Sequence, residues 1–332
     1  MDIVAPVSRY EEIGILASAG ADEFYCGVVP REWVDRFRTS GVSRRLFANL
    51  PDMDALARAV ETAHGLDKSI SLALNAQQYT GEMTRAIVDL AGQYAELGGD
   101  AVIVSDPVVV GEVSRQVAGI RIHVSSIASC HNTETARFFR DLGATRIILP
   151  RHVTLAEVAE MAAAVQDVEF EVFALNDGCV YEEGACHSIH LPVKLGGAIC
   201  MDDYEVDHAR WDGRDLTPDE VDLLTSNEKT YSDWLAHRFG CGSTATEEGW
   251  PLGPCGLCAL PALADCGVVA VKIVGREASI HRKQRSVELV ATVRDTLGRS
   301  GSGDAVKSLA RAIRKRPELC ADGFMCYYPD SR

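Results

Sequence analysis

The chain has 332 residues, of which 47% are hydrophobic, and its 33 Lys and Arg residues oppose 48 Asp and Glu residues for a net charge of −15. The apolar content excludes an intrinsically disordered chain and predicts a buried core. The acidic balance argues against a nucleic-acid partner, because proteins of that class neutralise phosphates with a concentrated basic face.

In chain order, short β-branched runs alternate with amphipathic stretches. The predicted strands span residues 2–5, 23–28, 69–74, 101–104, 120–124, 146–149, 169–173 and 269–273. The predicted helices span residues 10–19, 53–64, 84–97, 107–117, 132–142, 155–165 and 260–266. Strands alternating with helices form parallel βαβ units, and eight such units close a barrel. We therefore predict an α/β fold, a TIM-like (β/α)8 barrel.

One local pattern indicates repeated βα units, and a second one argues against a dinucleotide-binding doubly wound sheet. Helix-to-strand junctions carry a glycine where a helix end favours a left-handed turn, at Gly20, Gly98, Gly143 and Gly267. A dinucleotide-binding sheet would need a glycine-rich turn after the first strand, where this chain has Pro6-Val7-Ser8-Arg9. The absence of a GxGxxG motif favours the barrel.

The βα repeat lapses once, over residues 176–254, which follow the predicted seventh strand and are rich in Gly, Asp, Glu, Cys and His. In a parallel barrel a strand-to-helix loop lies at the C-terminal face, where active sites collect. We expect one barrel over 1–285 that carries 176–254 as a Cys-rich insertion. C-terminal helices and a tail over 286–332 follow, and their basic run at 307–316 is typical of a solvated helix face.

The N-terminal segment has neither a basic region nor a long apolar region, and no apolar run reaches the roughly 18 to 20 residues that cross a bilayer. These features predict a cytoplasmic protein without membrane contact. In a reducing compartment the 11 cysteines are not expected to form a disulfide framework. We therefore expect some of them to bind metal.

One group of cysteines falls in or directly after the insertion: Cys179, Cys186, Cys200, Cys241, Cys255 and Cys258. Thiolates ligate both iron-sulfur clusters and structural zinc. Zinc modules usually supply two short pairs, whereas this group has one C-x2-C pair and widely spaced single cysteines, with His187 and His190 as further zinc ligands. The spacing alone leaves a cluster and zinc open.

The remaining cysteines are interpreted as unligated thiols, because they lie in regular elements or in the tail. They are Cys26, Cys130, Cys266, Cys320 and Cys326.

A series of motifs now makes a family resemblance visible. In chain order they are Ala19-Gly20-Ala21-Asp22 with Tyr25 and Gly27, Leu74-Asn75, Gly99-Asp100 with Ser105-Asp106-Pro107, His123-Val124-Ser125-Ser126, Leu142-Gly143-Ala144, Pro150-Arg151, Cys179-x6-Cys186, Leu257-Cys258 and Lys272-Ile273-Val274-Gly275-Arg276. Together they cover nearly the whole chain to about residue 285. The sequence resembles the collagenase-like peptidase family U32.

The resemblance implies a TIM-like barrel with a [4Fe-4S] cluster. Carried over residue by residue, its ligands would be Cys179, Cys186, Cys200 and Cys258, with Cys255 as the second choice for the fourth ligand. The resemblance also implies oxygen-independent hydroxylation, close to the UbiU/UbiV-type proteins of anaerobic ubiquinone synthesis. Prephenate is the possible oxygen donor and co-substrate, as it is for the RNA-acting members of the family.

Departures from the family pattern suggest a divergent member. Leu175-Asn176 stands where the family commonly has His-Gly before the first cysteine, and His152 and Val274 stand where it commonly has glutamate. We therefore predict an oxidoreductase that hydroxylates a small molecule in a biosynthetic pathway. Its predicted partners are a homologous subunit or a second copy of the chain and an electron donor, without nucleic acid.

Strand ends on the C-terminal face supply the candidate site residues. Arg151, His152 and Arg276 are the candidate catalytic residues, because guanidinium groups there could clamp the carboxylates of a prephenate-like donor and a histidine could transfer protons. Asn75 and Asn176 are the candidate substrate-binding residues. Each could equally be a solvated polar residue at the barrel end.

Two other functions stay open. The family name suggests a peptidase, but the sequence contains no HExxH, GxSxG or caspase-like signature. A cluster-bearing subunit that supports a homologous hydroxylase is the non-enzymatic alternative. RNA modification is disfavoured by the net charge.

Overall fold

The structure is a computed structural model that describes residues 1–38, 42, 48–76, 79–179, 181–186, 206–238, 246, 249–300, 302–314, 320–321, 323 and 325–331. Among these residues, eight parallel strands close into a barrel in sequence order. The strands are β1 (Asp2–Pro6), β2 (Glu23–Cys26), β3 (Ser69–Ala73), β4 (Ala101–Val104), β5 (Arg121–Val124), β6 (Arg146–Ile148), β7 (Glu169–Leu175) and β8 (Ala270–Ile273). β8 pairs with β1 through the register Val271 to Ile3, which closes the barrel. The predicted TIM-like (β/α)8 fold is confirmed.

Helices follow the strands along the chain. They are α1 (Glu12–Ser18), α2 (Arg31–Phe37), α3 (Met53–His64), α4 (Gly81–Glu96), α5 (Pro107–Gln116), α6 (Thr133–Asp141), α7 (Leu155–Ala164), α8 (Pro218–Arg238), α9 (Leu260–Asp265), α10 (Ile280–Ser300) and α11 (Gly303–Arg314). None of the described helices is long and apolar enough to span a membrane.

The core lies between the strands and the apolar faces of the helices. In α3 the buried side chains recur at helical spacing, at Leu56, Ala59, Val60 and Ala63, so one stripe packs on the barrel. The Asp52 side chain accepts a hydrogen bond from the Ala55 N–H and caps the first turn. Local capping and the apolar stripe therefore agree on where this helix begins and which face it buries.

The helix-to-strand junctions have the predicted backbone. Gly20, Gly98, Gly143 and Gly267 have φ angles of +110°, +82°, +107° and +81°. Side chains rarely adopt this left-handed region, which is why glycine is favoured there. At Gly143 a Cβ atom would also overlap the Ser114 side chain.

Some elements differ from the sequence-based expectation. α2 was not predicted, and α8 lies within residues 176–254, where no further βα unit was expected. β7 runs to Leu175, two residues beyond its predicted end, because Leu175 still pairs with Ile273 after a register shift. Much of the predicted Cys-rich insertion, including Cys200 and Cys241, lies outside the described residues, and the predicted domain bounds stay a prediction.

The C-terminal segment packs back onto the barrel. Tyr327 and Tyr328 are 4% and 5% exposed. The Tyr328 hydroxyl donates to the Phe173 carbonyl at 3.3 Å, and Arg314 donates to the carbonyls of Pro251 and Gly253 at 2.7 and 3.0 Å. The tail therefore contacts the carboxyl end of β7 and the segment that precedes α9.

Candidate functional site

Charged side chains fill the barrel interior near the amino ends of the strands. Arg146 on β6 reaches across to Glu23 on β2, with its NH1 atom 2.6 Å from Glu23 Oε2. The same guanidinium lies 2.7 Å from Glu169 and 3.2 Å from Glu171. Lys272 on β8 places its Nζ atom 2.7 Å from Glu171 Oε1. The side chain of Glu169 is 44% exposed, whereas those of the other four are at most 10% exposed. The two buried cations and two buried carboxylates therefore neutralise one another away from water.

Two uncharged ring side chains, those of Tyr25 and His123, lie in the barrel interior beside these ion pairs. The Tyr25 hydroxyl donates to the Ile273 carbonyl at 3.2 Å, and Lys272 Nζ lies 3.9 Å from the centroid of the Tyr25 ring. His123 is 1% exposed, and its Nε2 atom has no hydrogen-bond partner among the described residues. Burial and then the nearby Arg146 charge hold the pKa of His123 well below its usual value. Its imidazole is therefore neutral.

Arg151 follows β6 and lies at the carboxyl ends of the strands, here called the barrel mouth. Three groups hold it there. Its Nε atom donates to the Asp177 carbonyl at 2.7 Å, and its guanidinium carbon lies 3.8 Å from the centroid of the Phe173 ring. It also forms an ion pair with Glu183, whose side chain is 4% exposed. Since a buried carboxylate already neutralises this guanidinium, its first role is to fix the loop after β7.

The loop between Cys179 and Cys186 is fastened to the ends of β5 and β6. Glu182 accepts hydrogen bonds from the Ser129 hydroxyl at 3.0 Å and the Ala185 N–H at 2.7 Å. His152 Nε2 lies 3.0 Å from the Tyr181 carbonyl. Several independent contacts therefore set the position of Cys186 at the edge of the barrel mouth, here called the rim.

Gly184 allows the closest approach between this loop and the rim. A Cβ atom at Gly184 would overlap the Ser129 hydroxyl and lie 2.5 Å from the Ile127 carbonyl oxygen. The loop could not keep its position with any larger residue there.

β7 leaves the barrel through two residues in the left-handed region, Asn176 at φ +70° and Asp177 at φ +45°. The Asn176 side chain is 2% exposed and is engaged by α10. Its Nδ2 atom donates to the Ser286 hydroxyl at 3.0 Å, and its Oδ1 atom accepts from Arg282 at 3.2 Å. This amide holds the turn after β7, and a substrate would have to replace these contacts.

Arg276 and Asn75 lie at the ends of β8 and β3. Arg276 is 8% exposed, donates to Asn49 Oδ1 at 3.3 Å, and places its guanidinium carbon 5.9 Å from the Tyr25 ring centroid. Asn75 is half-buried and donates to the Ser125 hydroxyl at 3.0 Å. Both side chains reach the mouth from strands other than β6 and β7.

The predicted site residues thus divide into those that hold the segment carrying Cys179 and Cys186 and those that lie at other strand ends. Arg151 and His152 hold the loop that carries Cys186, whereas Asn176 holds the turn that precedes Cys179. Arg276 and Asn75 belong to other strand ends. Cys200, His187 and His190 lie outside the described residues. These contacts do not test the catalytic, substrate-binding and metal-ligating roles predicted for these residues, and those roles stay predictions.

Cys258, the predicted fourth ligand, and Cys255 line one small pocket with Cys320 and Cys326. Neither Cys179 nor Cys186 lines that pocket. Burial raises the pKa of the Cys255 and Cys258 thiols.

Sequence reasoning missed the polar residues that complete the mouth and its interior. They are Glu23, Glu171, Asn49, Asp177, Glu182 and Glu183. A signal existed for the interior, because Glu23, Tyr25 and Glu171 alternate with apolar residues along their strands and so share the inner face. The contacts of Glu182 and Glu183 join distant parts of the chain and left no local pattern.

The rim fits a thiolate-bound cluster in its donor chemistry. Cys179 and Cys186 are half-exposed thiols on one loop, and the contacts of Glu182, Glu183 and Gly184 hold that loop at the barrel mouth. Sulfur donors on a fixed, glycine-containing loop are the ligands that iron-sulfur clusters use. Among the described residues, no group of three His, Cys, Asp or Glu side chains is arranged to hold a metal ion by itself.

The structure is thus a closed parallel barrel with the thiols of Cys179 and Cys186 beyond the carboxyl end of β7, the end at which (β/α)8 barrels carry their sites. The sequence profile of Peptidase family U32 matches residues 8–332, and the chain belongs to this family. The resemblance noted from the motifs is confirmed.

Relatives within the family include hydroxylation proteins. The chain is 29% identical to the tRNA hydroxylation protein P of Escherichia coli over 185 residues, which are 56% of this chain and 38% of that protein. It is 30% identical to the 23S rRNA 5-hydroxycytidine C2501 synthase of Escherichia coli over 138 residues, 41% of this chain and 20% of that protein. A collagenase of Porphyromonas gingivalis is 25% identical over 203 residues, 57% of this chain and 45% of that protein. The chain thus spans less than half the length of each.

These relatives correct one prediction. The expectation of a small-molecule substrate and no nucleic-acid partner is wrong, since the matching hydroxylation proteins are named for tRNA and 23S rRNA. Net charge describes a whole surface, whereas RNA contacts depend on charges within about 8 Å at physiological salt. A net charge of −15 therefore does not exclude RNA.

Proposed function

We propose that this chain takes part in the oxygen-independent hydroxylation of an RNA base. The observation that carries the proposal is the match of its barrel to proteins named for tRNA hydroxylation and for 5-hydroxycytidine synthesis in 23S rRNA. The loop fixed between Cys179 and Cys186 at the barrel mouth supports it, because it offers thiol donors where substrates of such barrels bind.

Cys179, Cys186 and Cys200 would hold a [4Fe-4S] cluster, with Cys258 or, as second choice, Cys255 as the fourth ligand implied by the resemblance. The cluster would supply electron transfer or an iron coordination position without dioxygen. Arg151, through Glu183 and the Asp177 carbonyl, would keep the ligand loop in place.

Arg276 is the residue best placed to bind a carboxylate of an oxygen donor such as prephenate. It lies at the end of β8 with Asn49 and Tyr25 beside it, and a guanidinium can bind a carboxylate through two parallel hydrogen bonds. Asn75 and Ser125 would offer hydrogen bonds to the edge of a base. The base would have to leave its stack to enter the mouth.

The test is an anaerobic reaction of the purified chain with tRNA or rRNA and prephenate, followed by nucleoside mass spectrometry. We expect one nucleoside to gain a single oxygen atom, and the gain to be lost with Cys179→Ala and kept with Cys266→Ala, a thiol at the end of α9. Arg276→Lys should raise the prephenate concentration needed for half-maximal rate. RNA that gains oxygen equally with Cys179→Ala would contradict the proposal, as would an RNA gain that requires dioxygen.

A peptidase is the second candidate, favoured by the family name and by the collagenase relative. The rim does contain Ser129, His131 and Glu182 together, with 3.0 Å between Ser129 and Glu182 and 3.4 Å between His131 and Glu182. The carboxylate lies between the other two, whereas serine peptidases place the histidine there to take the serine proton. Gelatin cleavage that is lost with Ser129→Ala would favour this candidate.

A further inference from the structure

Lys272 is the penultimate residue of β8, and its side chain lies where the barrel interior meets the mouth. It pairs in register with Phe173 of β7, whose ring is covered by the Arg151 guanidinium at the mouth. Lys272 and Tyr25 keep 5% and 7% of their surface exposed, whereas Glu171, which lies deeper on β7, keeps 1%. Of the two buried cations in the interior, Lys272 is therefore the one nearer the mouth.

The Lys272 ammonium uses only part of its hydrogen-bonding capacity. Among the described residues, its Nζ atom donates to one oxygen, Glu171 Oε1 at 2.7 Å, and otherwise faces the Tyr25 ring, with 3.9 Å to the centroid. Lys283, also buried, places its Nζ atom within 3.0 Å of three oxygen atoms. Since an ammonium has three N–H donors, Lys283 is saturated and Lys272 is not.

A buried amine with a carboxylate beside it is suited to react as a nucleophile. Burial lowers the pKa of Lys272, which brings the neutral amine within easier reach. Glu171 is the adjacent group that can take the proton.

Arg276 reaches the same ring from the segment that follows β8. Its guanidinium carbon lies 5.9 Å from the Tyr25 ring centroid, and Lys272 Nζ lies 3.9 Å from that centroid. Because both distances end at one point, the two cations lie close enough for one small molecule to contact both. A 2-oxo acid carries a carbonyl carbon bonded directly to its carboxylate, so it can bind Arg276 by one group and present the other to Lys272.

The charges distinguish this arrangement from a simple anion site. Glu171 already neutralises the Lys272 ammonium, so Arg276 supplies the positive charge that one carboxylate needs. The amine is then left facing the carbonyl group beside that carboxylate.

We propose that Lys272 forms an imine with the carbonyl group of a 2-oxo acid whose carboxylate binds Arg276. The ammonium gives one proton to Glu171, and the neutral nitrogen forms a bond to the carbonyl carbon as the carbonyl π bond breaks. The carbonyl oxygen then leaves as water with two protons, one from the nitrogen and the one held by Glu171. The product is a protonated imine that stays paired with the Glu171 carboxylate, and no oxidant or reductant is consumed.

The inference deepens the proposed function and rests on it for the identity of the natural acid. Prephenate is itself a 2-oxo acid, so the oxygen donor would be held covalently at the base of the mouth. Imine formation requires neither RNA nor a cluster, and it can therefore be tested without the hydroxylation reaction.

The experiment incubates the full-length, anaerobically purified chain with pyruvate, the simplest 2-oxo acid, and reduces any imine with sodium cyanoborohydride. Peptide mass spectrometry then locates the carboxyethyl group. We expect about one label per chain, on Lys272, at pyruvate concentrations that leave the exposed Lys229 unlabelled. Lys283 is the matched buried lysine and should carry no label.

Two variants and one second compound test the roles of the groups. Lys272→Arg keeps a cation beside Glu171 and should carry no label at that position. Arg276→Lys should need a higher pyruvate concentration for half-maximal labelling of Lys272. Acetone, which has the carbonyl group without the carboxylate, should label Lys272 only at concentrations that also label Lys229.

An unlabelled Lys272 in the wild type, with pyruvate and with prephenate, would overturn the inference, as would labelling of Lys272 and Lys229 at the same pyruvate concentration. Both results come from the wild-type chain and do not depend on how a variant folds. RNA hydroxylation at the wild-type rate in Lys272→Arg would overturn the inference and leave the proposed function standing. Selective labelling of Lys272 in a chain that modifies no RNA would support the inference while the proposed function fails.

Discussion

Gly184 is the residue on which the position of the cysteine loop depends most directly. In Gly184→Ala the added methyl group would overlap the Ser129 hydroxyl and crowd the Ile127 carbonyl, so the loop must move off the rim. We expect a cost of about 1 to 3 kcal/mol locally and a lower iron content per chain. Iron and sulfide analysis of the anaerobically purified variant checks this.

The matched control is Gly92→Ala in the middle of α4, where an added Cβ meets nothing within 4 Å. It should keep its iron and gain up to about 1 kcal/mol in stability, because alanine favours a helix. Equal iron content in Gly184→Ala and Gly92→Ala would show that the loop tolerates displacement.

Glu171 is the carboxylate that Arg146 and Lys272 share inside the barrel. Glu171→Gln leaves Lys272 without its ionic partner in a buried site, so we expect the free energy of unfolding to fall by about 3 kcal/mol. Urea denaturation measures it. The same change at Glu134, which pairs with Arg137 on the surface of α6, should cost within about 0.5 kcal/mol.

A second substitution tests the cause of that loss. Adding Lys272→Met to Glu171→Gln removes the unpaired cation and should recover part of the stability. If the double variant is as unstable as the sum of the two single variants, the network does not act as coupled ion pairs.

At the scale of elements, the tail is held to β7 by the Tyr327 hydroxyl. Tyr327→Phe removes the hydroxyl that donates to the carbonyls of Asn176 and Asp177, so both buried carbonyl oxygens lose this donor. We expect a loss of about 1 to 2 kcal/mol and faster amide hydrogen exchange in residues 325–331. Tyr231→Phe, at a side chain of α8 that is 53% exposed, should change neither. Unchanged exchange in the tail would mean that other contacts hold it.

The βα alternation was sufficient to predict all eight strands, because each carries a short apolar run, and four of them follow a glycine at the end of a helix. Strand ends were less accurate: Val28 and Leu74 were included although β2 ends at Cys26 and β3 at Ala73. The short helix α2 was missed.

The candidate site was predictable only where it follows a strand. Arg151 and Arg276 were found from their positions at strand ends, and the structure places both at the mouth. The partners Glu183 and Asn49 were not found, since contacts between distant segments leave no periodic pattern in the sequence. The convergence of Cys320 and Cys326 with Cys255 was missed for the same reason.

For the whole molecule, His123 predicts how stability changes in weak acid. The unfolded chain binds a proton on His123 near pH 6.5, whereas the folded chain binds it only at a much lower pH. The unfolded state thus holds more protons, so stability is present above pH 6.5 and falls as the pH falls below it. The contribution of this residue approaches about 1.4 kcal/mol per pH unit.

His123→Gln lacks this proton, so its stability should fall less steeply between pH 6.5 and 5 than that of the wild type. Urea denaturation at a series of pH values gives both slopes. Parallel slopes would contradict the prediction, and they would mean that His123 is protonated in the folded chain despite its burial.

The side chains that fill the barrel interior determine where molecules can enter and leave the barrel. Arg146, Glu171, Lys272 and Tyr25 occupy the interior, so it offers no passage from one end of the barrel to the other. Under the proposed function, reactant and product would then use the same entrance, and a hydroxylated RNA would compete with unmodified RNA for it. Product inhibition should accordingly be competitive with respect to RNA, and turnover would be set by how quickly the modified strand departs.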